Sequence, residues 1–197
     1  MKGLIIFSLI LFMSACSTTS QYPNTPEGMA QRAENELKKM DKETKKAAQA
    51  AYDQALFNQA VAALEAREFV LEADRVDFKR GRFAYVNSST NFVSMHGNKA
   101  TIQFAFNSPY AGPNGIGGLT VDGTASNVKM NTDSKGNVTF SMMVQGVGVS
   151  ANVTLRMIKD TNRCTAIVTP NFNSNRTTFT GILYPESESN VFKGRSL

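Results

Sequence analysis

The sequence contains few of the residues on which catalytic and metal sites depend. Its 197 residues include one histidine, two cysteines and no tryptophan. A single histidine excludes a metal site that needs several histidines. It also excludes a Ser-His-Asp triad together with a second functional histidine. That histidine, His96, stands beside a glycine in a turn-like stretch, which is typical of a surface residue. We therefore predict a protein that is not an enzyme and has no metal and no cofactor.

Other motifs of reactive sites are incomplete. Residues 112–118 lack the Gly-Lys-Ser/Thr of a phosphate-binding loop. Residues 131–136 have a lysine at a calcium-ligand position and no closing glutamate, which favours a hairpin turn. Asp74 and Asp77 lie three residues apart on one predicted strand, so we expect them on opposite faces, unable to share a proton.

The apolar run over residues 3–13 is too short to cross a bilayer, where ~20 residues are needed. It follows a short positive start and precedes two small residues, which predicts a secretion signal over residues 1–15. Met13-Ser14-Ala15-Cys16 resembles the lipobox of bacterial lipoproteins. The resemblance implies cleavage before Cys16 and lipid attachment to its thiol, although an ordinary secreted protein with an incidental cysteine remains the alternative.

Acyl chains on Cys16 would hold the mature protein at a membrane surface. Ser17 follows that cysteine, and no acidic run follows in the tether. By resemblance to lipoprotein sorting rules, this implies the outer membrane with the protein facing the periplasm. We therefore expect a membrane and envelope partners, and we do not expect nucleic acid despite the net charge of +5.

The first part of the mature chain is predicted to be helical. Residues 16–26 read as a tether, and residues 27–67 as a helical segment that starts at Thr25-Pro26-Glu27. The second half of this segment is alanine-rich and has an apolar stripe at helical spacing, whereas the first half is mostly charged. We expect the second half to pack well and the first half to be solvated.

Residues 68–197 alternate apolar and polar residues, as antiparallel strands with one buried face do. The clearest case is residues 138–145, and a slip in alternation near Ser126-Asn127 indicates a bulge. Cys164 falls on the buried face and is expected to be a small core residue. The fold class is mainly β (α+β overall): an eight-strand antiparallel up-and-down meander, barrel-like or strongly curved, preceded by an N-terminal helix.

A barrel of this size can hold side chains or one small ligand. Two sets of residues are therefore candidate ligand-binding residues. The first set is either a cavity lining or plain core, and the second would form the rim of the long loop. The sets are Phe104, Phe106, Phe140 and Met142, and then Gly115 and Gly117.

Four segments resemble a lipoprotein domain family of the Bacteroidetes that is a domain of unknown function, similar to DUF4251. They are residues 86–92, 112–118, 170–176 and 189–195. The resemblance implies a small β-domain on an envelope lipoprotein and carries over no catalytic residue. We expect a non-catalytic module that binds an amphiphile or a glycan. The alternative is a structural or assembly module that docks a partner protein through the helix and the loop at residues 107–118.

Overall fold

The computed structural model describes residues 26–106, 109–171 and 175–196. The predicted signal, the lipidation site Cys16 and the predicted N-cap Thr25 lie outside the described residues. One helix, α1, spans Pro26–Ala66. Across the described ranges, no helix combines the length and the apolar character needed to cross a membrane.

The chain falls into two units, Met1–Lys46 and Ala47–Leu197. In the described part of the first unit, the side chains of α1 are almost all exposed, and Lys38 pairs with Glu34 one turn away at 2.7 Å. In the second unit, Ala60 and Leu64 of α1 are buried in the hydrophobic core with the strand residues. The apolar stripe of the alanine-rich half is therefore a packing surface from Phe57 onward, as its helical spacing predicted, whereas Tyr52 at its start is 60% exposed.

An antiparallel sheet follows the helix and closes on itself. Its strands lie in chain order around the barrel except for β2, and β1 pairs with β9 to complete the ring. The strands are β1 (Glu68–Asp77), β2 (Phe83–Tyr85), β3 (Phe92–His96), β4 (Lys99–Ala105), β5 (Gly118–Thr132), β6 (Val138–Gly146), β7 (Val149–Met157), β8 (Arg163–Pro170) and β9 (Thr177–Pro185).

The predicted eight-strand meander is confirmed, with one strand divided. β2 and β3 pair with successive parts of the same edge of β1, so β2 is an extra short strand beside an eight-strand ring. The division occurs where Asn87 makes a turn with its side chain, because its Oδ1 accepts a hydrogen bond from the Ser89 N–H at 3.0 Å. Apolar and polar residues alternate on both sides of this turn, so the sequence alone looks like one continuous strand.

Two bulges bend the barrel. The predicted one is confirmed, since the β5–β6 register shifts between Ser126 and Lys129, and Asn127 has φ +50°. The second lies in β1 at Asp74 and was not predicted. Asp74 and Asp77 form separate ion pairs, Asp74 with Arg163 at 3.2 Å and Asp77 with Arg75 at 2.5 Å. The expectation of opposite faces is wrong, because the bulge shifts the alternation: Ala73 and Val76 are both buried, so both aspartates lie on the outer face.

The interior of the barrel is filled by side chains. Phe69, Phe179 and Leu155 are among the largest fully buried ones, and the Phe69 ring meets the Phe140 ring edge to face at 5.4 Å. Cys164 is buried in this core, and burial raises the pKa of its thiol to about 12. The cysteine is a small apolar packing residue, as the alternation predicted.

Candidate functional site

Phe140 and Met142 belong to the packed core. Their exposed fractions are 1% and 2%, and both lie in the main hydrophobic cluster. Of the two roles that the sequence left open, plain core is the one that these side chains take, and the Phe140 ring also borders a surface hollow of about 390 Å³ beside β5. The aromatic and methionine pattern of strands does not by itself distinguish these roles, because both place apolar side chains on the inner face.

Phe104 and Phe106 belong to a small aromatic cluster near the end of β4. The two rings lie 5.8 Å apart, and Phe78 stands 5.5 Å from Phe106. Phe104 is partly buried and packs against the core, whereas Phe106 lines a hollow of about 600 Å³. The structure therefore separates these two residues from Phe140 and Met142 instead of gathering all four around one cavity.

Gly115 and Gly117 shape the loop that precedes β5. Both have positive φ, +79° and +89°. A side chain on Gly117 would collide with the backbone oxygen of Phe106, whereas Gly115 faces open space. Asn114 fixes the same loop, because its Oδ1 accepts hydrogen bonds from the N–H groups of Ile116 and Gly118. Turn geometry and close packing account for these glycines.

The segment after β9, residues 186–196, crosses the outer face of the barrel, and we call it the strap. It begins with a single 3₁₀ turn at Glu186–Glu188 and then continues without regular secondary structure. Backbone and side-chain hydrogen bonds attach it along its length. Those to the barrel include Ser189 Oγ to Glu72 Oε1 (2.7 Å), Phe192 N to Ser89 O (2.7 Å) and Arg195 N to Asn114 O (3.0 Å).

A buried polar side chain, Gln103, joins the strap to β4. Gln103 alternates with the core residues of β4, so its side chain points away from the core. It is nevertheless 0% exposed. Its Nε2 donates to the carbonyl oxygens of Thr90 (2.9 Å) and Phe192 (2.7 Å). Its Oε1 accepts from Thr120 Oγ1 and from the Gly194 N–H, both at 2.8 Å. All four hydrogen-bonding positions of the amide are satisfied, which a buried amide requires.

A groove of about 900 Å³ lies between the strap and the outer faces of β3 to β6, and we call it the strap groove. The strands supply its floor and the strap supplies one wall. The floor is lined by Val70, Phe92, Ser94, His96, Lys99, Ala100, Thr101, Asp122, Gly123, Thr124, Gln145, Gly146 and Val147, and the wall by Glu186, Ser189, Val191 and Lys193.

Each carboxylate of the groove has a basic side chain as its partner. His96 Nδ1 lies 2.5 Å from Glu186 Oε2, and this hydrogen bond and the carboxylate charge raise the pKa of His96. Lys193 Nζ lies 2.6 Å from Asp122 Oδ2. Burial opposes charge on Asp122, but hydrogen bonds from Lys193, Ser196 and Thr101 outweigh it and lower its pKa.

Several other polar groups of the groove have no partner among the residues described. They are the side chains of Ser94, Lys99, Thr124 and Gln145, which lie on neighbouring strands β3 to β6. Hydroxyl, amide and ammonium groups in this arrangement can donate to and accept from a bound molecule without first breaking a protein contact. None of the candidate residues taken from the sequence lies in this groove.

The groove offers binding groups and no assembled nucleophile. His96 meets an acid, but within the described ranges no hydroxyl is hydrogen-bonded to its ring. The same ranges hold no group of three or more His, Cys, Asp or Glu side chains placed to bind a metal ion. What the geometry provides is hydrogen bonding, one ammonium group and the exposed apolar side chain of Val147.

Comparison with known proteins gives one family. The family model of DUF4251, a domain of unknown function, matches residues 51–183. A crystal structure of a DUF4251 family protein from Bacteroides eggerthii is similar, with 49% sequence identity and a TM-score of 0.63. The match covers 75% of this chain and 99% of that chain. No curated protein matches the chain.

Proposed function

The chain belongs to the DUF4251 family, as its resemblance predicted, and because that family is defined by a domain of unknown function, we propose a role from the strap groove. The protein is a non-catalytic binding module of the cell envelope, and its ligand is a glycan fragment. The observation that carries this proposal is the set of partnerless polar side chains on the groove floor. Sugars present many hydroxyl groups, which such side chains can bind.

The filled interior favours the glycan over the amphiphile. An acyl chain needs an apolar cavity that excludes water, and the barrel interior is occupied by its own side chains. The strap groove is open on one side and mixes hydroxyl, amide and apolar groups. Val147, which is 78% exposed, can contact the apolar face of a sugar ring, while Ser94 and Thr124 bind its hydroxyl groups.

Calorimetry with soluble envelope glycan fragments tests the proposal. Ser94→Ala and Thr124→Val each remove a hydroxyl from the groove floor, and each is expected to weaken binding by about threefold to tenfold. Thr139→Val and Ser141→Ala are matched controls, because these residues lie on β6 outside the groove lining. Equal losses in both sets, or no binding by the unaltered protein, would contradict the proposal.

The membrane anchor remains a separate part of this proposal. We infer attachment through lipid on Cys16, in the outer membrane and facing the periplasm, from the lipobox resemblance alone. Protease added to intact cells tests the orientation. Survival of the β-domain until the cells are permeabilised is expected, whereas rapid digestion of intact cells would indicate display on the cell surface.

Partner docking is the second candidate function, and one observation favours it. Met29, Leu37 and Met40 of α1 are 56–65% exposed, on a segment that is otherwise mostly charged. Exposed apolar side chains on a helix are typical of docking surfaces. Photo-crosslinking from Leu37 in intact cells should then capture a single envelope protein. Lys45 on the same segment serves as the charged control. Equal crosslinking from a probe at Lys45 and one at Leu37 would count against docking.

A further inference from the structure

Outside the strap groove, the turn after β1 carries a cluster of cations. Lys79, Arg80 and Arg82 lie in the short link between β1 and β2, and their side chains are exposed. Arg176, just before β9, is also exposed, and it lines a hollow of about 500 Å³ together with Lys79 and Arg80. The fold thus brings together cations that lie almost 100 residues apart in the sequence.

Most of this positive charge is not neutralised by the protein. The hollow contains one carboxylate, Asp77, which Arg75 already engages at 2.5 Å. Arg75 also stacks over the Phe83 ring, with its guanidinium carbon 4.3 Å from the ring centre. In the described part of the chain, Arg80, Arg82 and Arg176 have no carboxylate partner. Arg80 and Arg176 beside an occupied acid, with Arg82 in the same link as Arg80, attract a partner that carries several negative charges.

Two exposed aromatic rings continue this surface. Phe83 and Tyr85 of β2 are 53% and 76% exposed and meet edge to face at 5.8 Å. Phe83 pairs across the sheet with Asp77, which lines the hollow, so the rings lie beside the cations. Aromatic side chains prefer the boundary between lipid headgroups and acyl chains, and clustered arginines bind anionic headgroups.

We propose that this surface, the basic patch formed by Arg80, Arg82, Arg176, Phe83 and Tyr85, binds the headgroup layer of an anionic phospholipid bilayer. The arginines contact lipid phosphates, and the two rings enter the boundary region. The proposal does not use the strap groove and stands whether or not the groove binds a glycan. It gives the β-domain a membrane contact of its own, in addition to any lipid on Cys16.

Vesicle sedimentation tests the proposal with residues 17–197, which retain every described residue but lack the acylated cysteine. We expect binding to phosphatidylcholine vesicles that contain phosphatidylglycerol, and no binding to phosphatidylcholine alone. Each arginine changed to glutamate should weaken the partition at least about fivefold, and Arg80→Glu with Arg82→Glu and Arg176→Glu together at least about 100-fold. Phe83→Ser with Tyr85→Ser should weaken binding at every salt concentration, because the ring contribution is not screened.

A charge-matched variant separates the patch from the overall charge of the protein. Lys129→Glu, Lys135→Glu and Lys159→Glu make the same change in net charge at exposed residues outside the patch. This variant should keep most of the binding, and circular dichroism of both variants should match the unaltered protein because all six residues are exposed. Equal losses in the two variants would overturn the proposal. Binding of an acidic polysaccharide through the same arginines, without vesicle binding, would also overturn it.

Discussion

Replacing Gln103 with alanine should detach the strap from the barrel. The side chain is fully buried and makes four hydrogen bonds, two of them to Phe192 and Gly194 of the strap. The substitution removes all four bonds and leaves a cavity beneath the strap. The polar groups of the strap can bind water instead if the strap lifts, but the Thr90 carbonyl oxygen loses its side-chain donor in a part-buried position.

The structure gives the size of this effect. A buried polar group left without a partner costs about 1–3 kcal/mol, and Thr120 is spared part of this because its Oγ1 still accepts from Asn114 at 3.3 Å. We therefore expect the free energy of unfolding to fall by about 2–4 kcal/mol. Urea unfolding measures this loss, and hydrogen exchange at the Gly194 amide should accelerate more than exchange in the barrel strands.

Gln145→Ala is the matched control for this prediction. Gln145 is also an outward-facing glutamine, but it is exposed and has no hydrogen bond within the described residues. Its substitution should change the free energy of unfolding by less than about 0.5 kcal/mol. If Gln103→Ala costs no more than Gln145→Ala, or if Gly194 exchange is unchanged, the reasoning about the strap is refuted.

Four further predictions follow from single side chains. His96, the only histidine, should titrate by NMR with a pKa above 6.5, and Glu186→Gln should lower it. Because the folded pKa is raised, the stabilisation from this pair is complete below about pH 6.5 and is lost as the pH rises through the folded pKa. The Cys164 thiol should resist alkylation until the protein unfolds, because its pKa is about 12 and it is buried. Phe140→Ala should lower the free energy of unfolding by about 3–5 kcal/mol in urea titrations, because the ring is 1% exposed. Cys16→Ser should abolish fatty-acid labelling and membrane retention, because the hydroxyl is the poorer nucleophile.

Each of these predictions has a result that would contradict it. An unchanged His96 pKa in the Glu186→Gln variant would mean that the two side chains do not pair in solution. Alkylation of Cys164 in the folded protein would place it at the surface. A loss below about 1 kcal/mol for Phe140→Ala would be too small for a buried ring. Labelling that persists in Cys16→Ser would exclude this residue as the lipid attachment site.

The strand pattern of the second half of the chain was predictable because burial there follows the strand period. Val138, Phe140, Met142 and Val144 are all buried, and their alternating neighbours are not. The bulge at Ser126-Asn127 was equally visible, since one extra residue reverses the alternation for the rest of the strand. Closure of the barrel was expected only as one of two ways to deal with the sheet edges. It depends on β1 pairing with β9, which no local pattern specifies.

The strap groove could not be predicted, and the reason lies in the outer face of the sheet. Alternation shows that Gln103 points away from the core, and a polar residue there normally meets water. Only the strap makes this position buried, and residues 186–196 have neither the helical nor the strand period. The prediction therefore looked for a ligand inside the barrel, where the side chains Phe140 and Met142 are packed.

Chemical-shift mapping tests the central claim, that the strap groove is the ligand site, most directly. Residues 17–197 labelled with ¹⁵N are titrated with soluble envelope glycan fragments, and the backbone amide shifts are followed to saturation. The account predicts saturable shifts that cluster at Ser94, Lys99, Thr124 and Gln145 and at the facing strap residues. Shifts that cluster elsewhere on the barrel, or an absence of shifts at every fragment concentration, would contradict it.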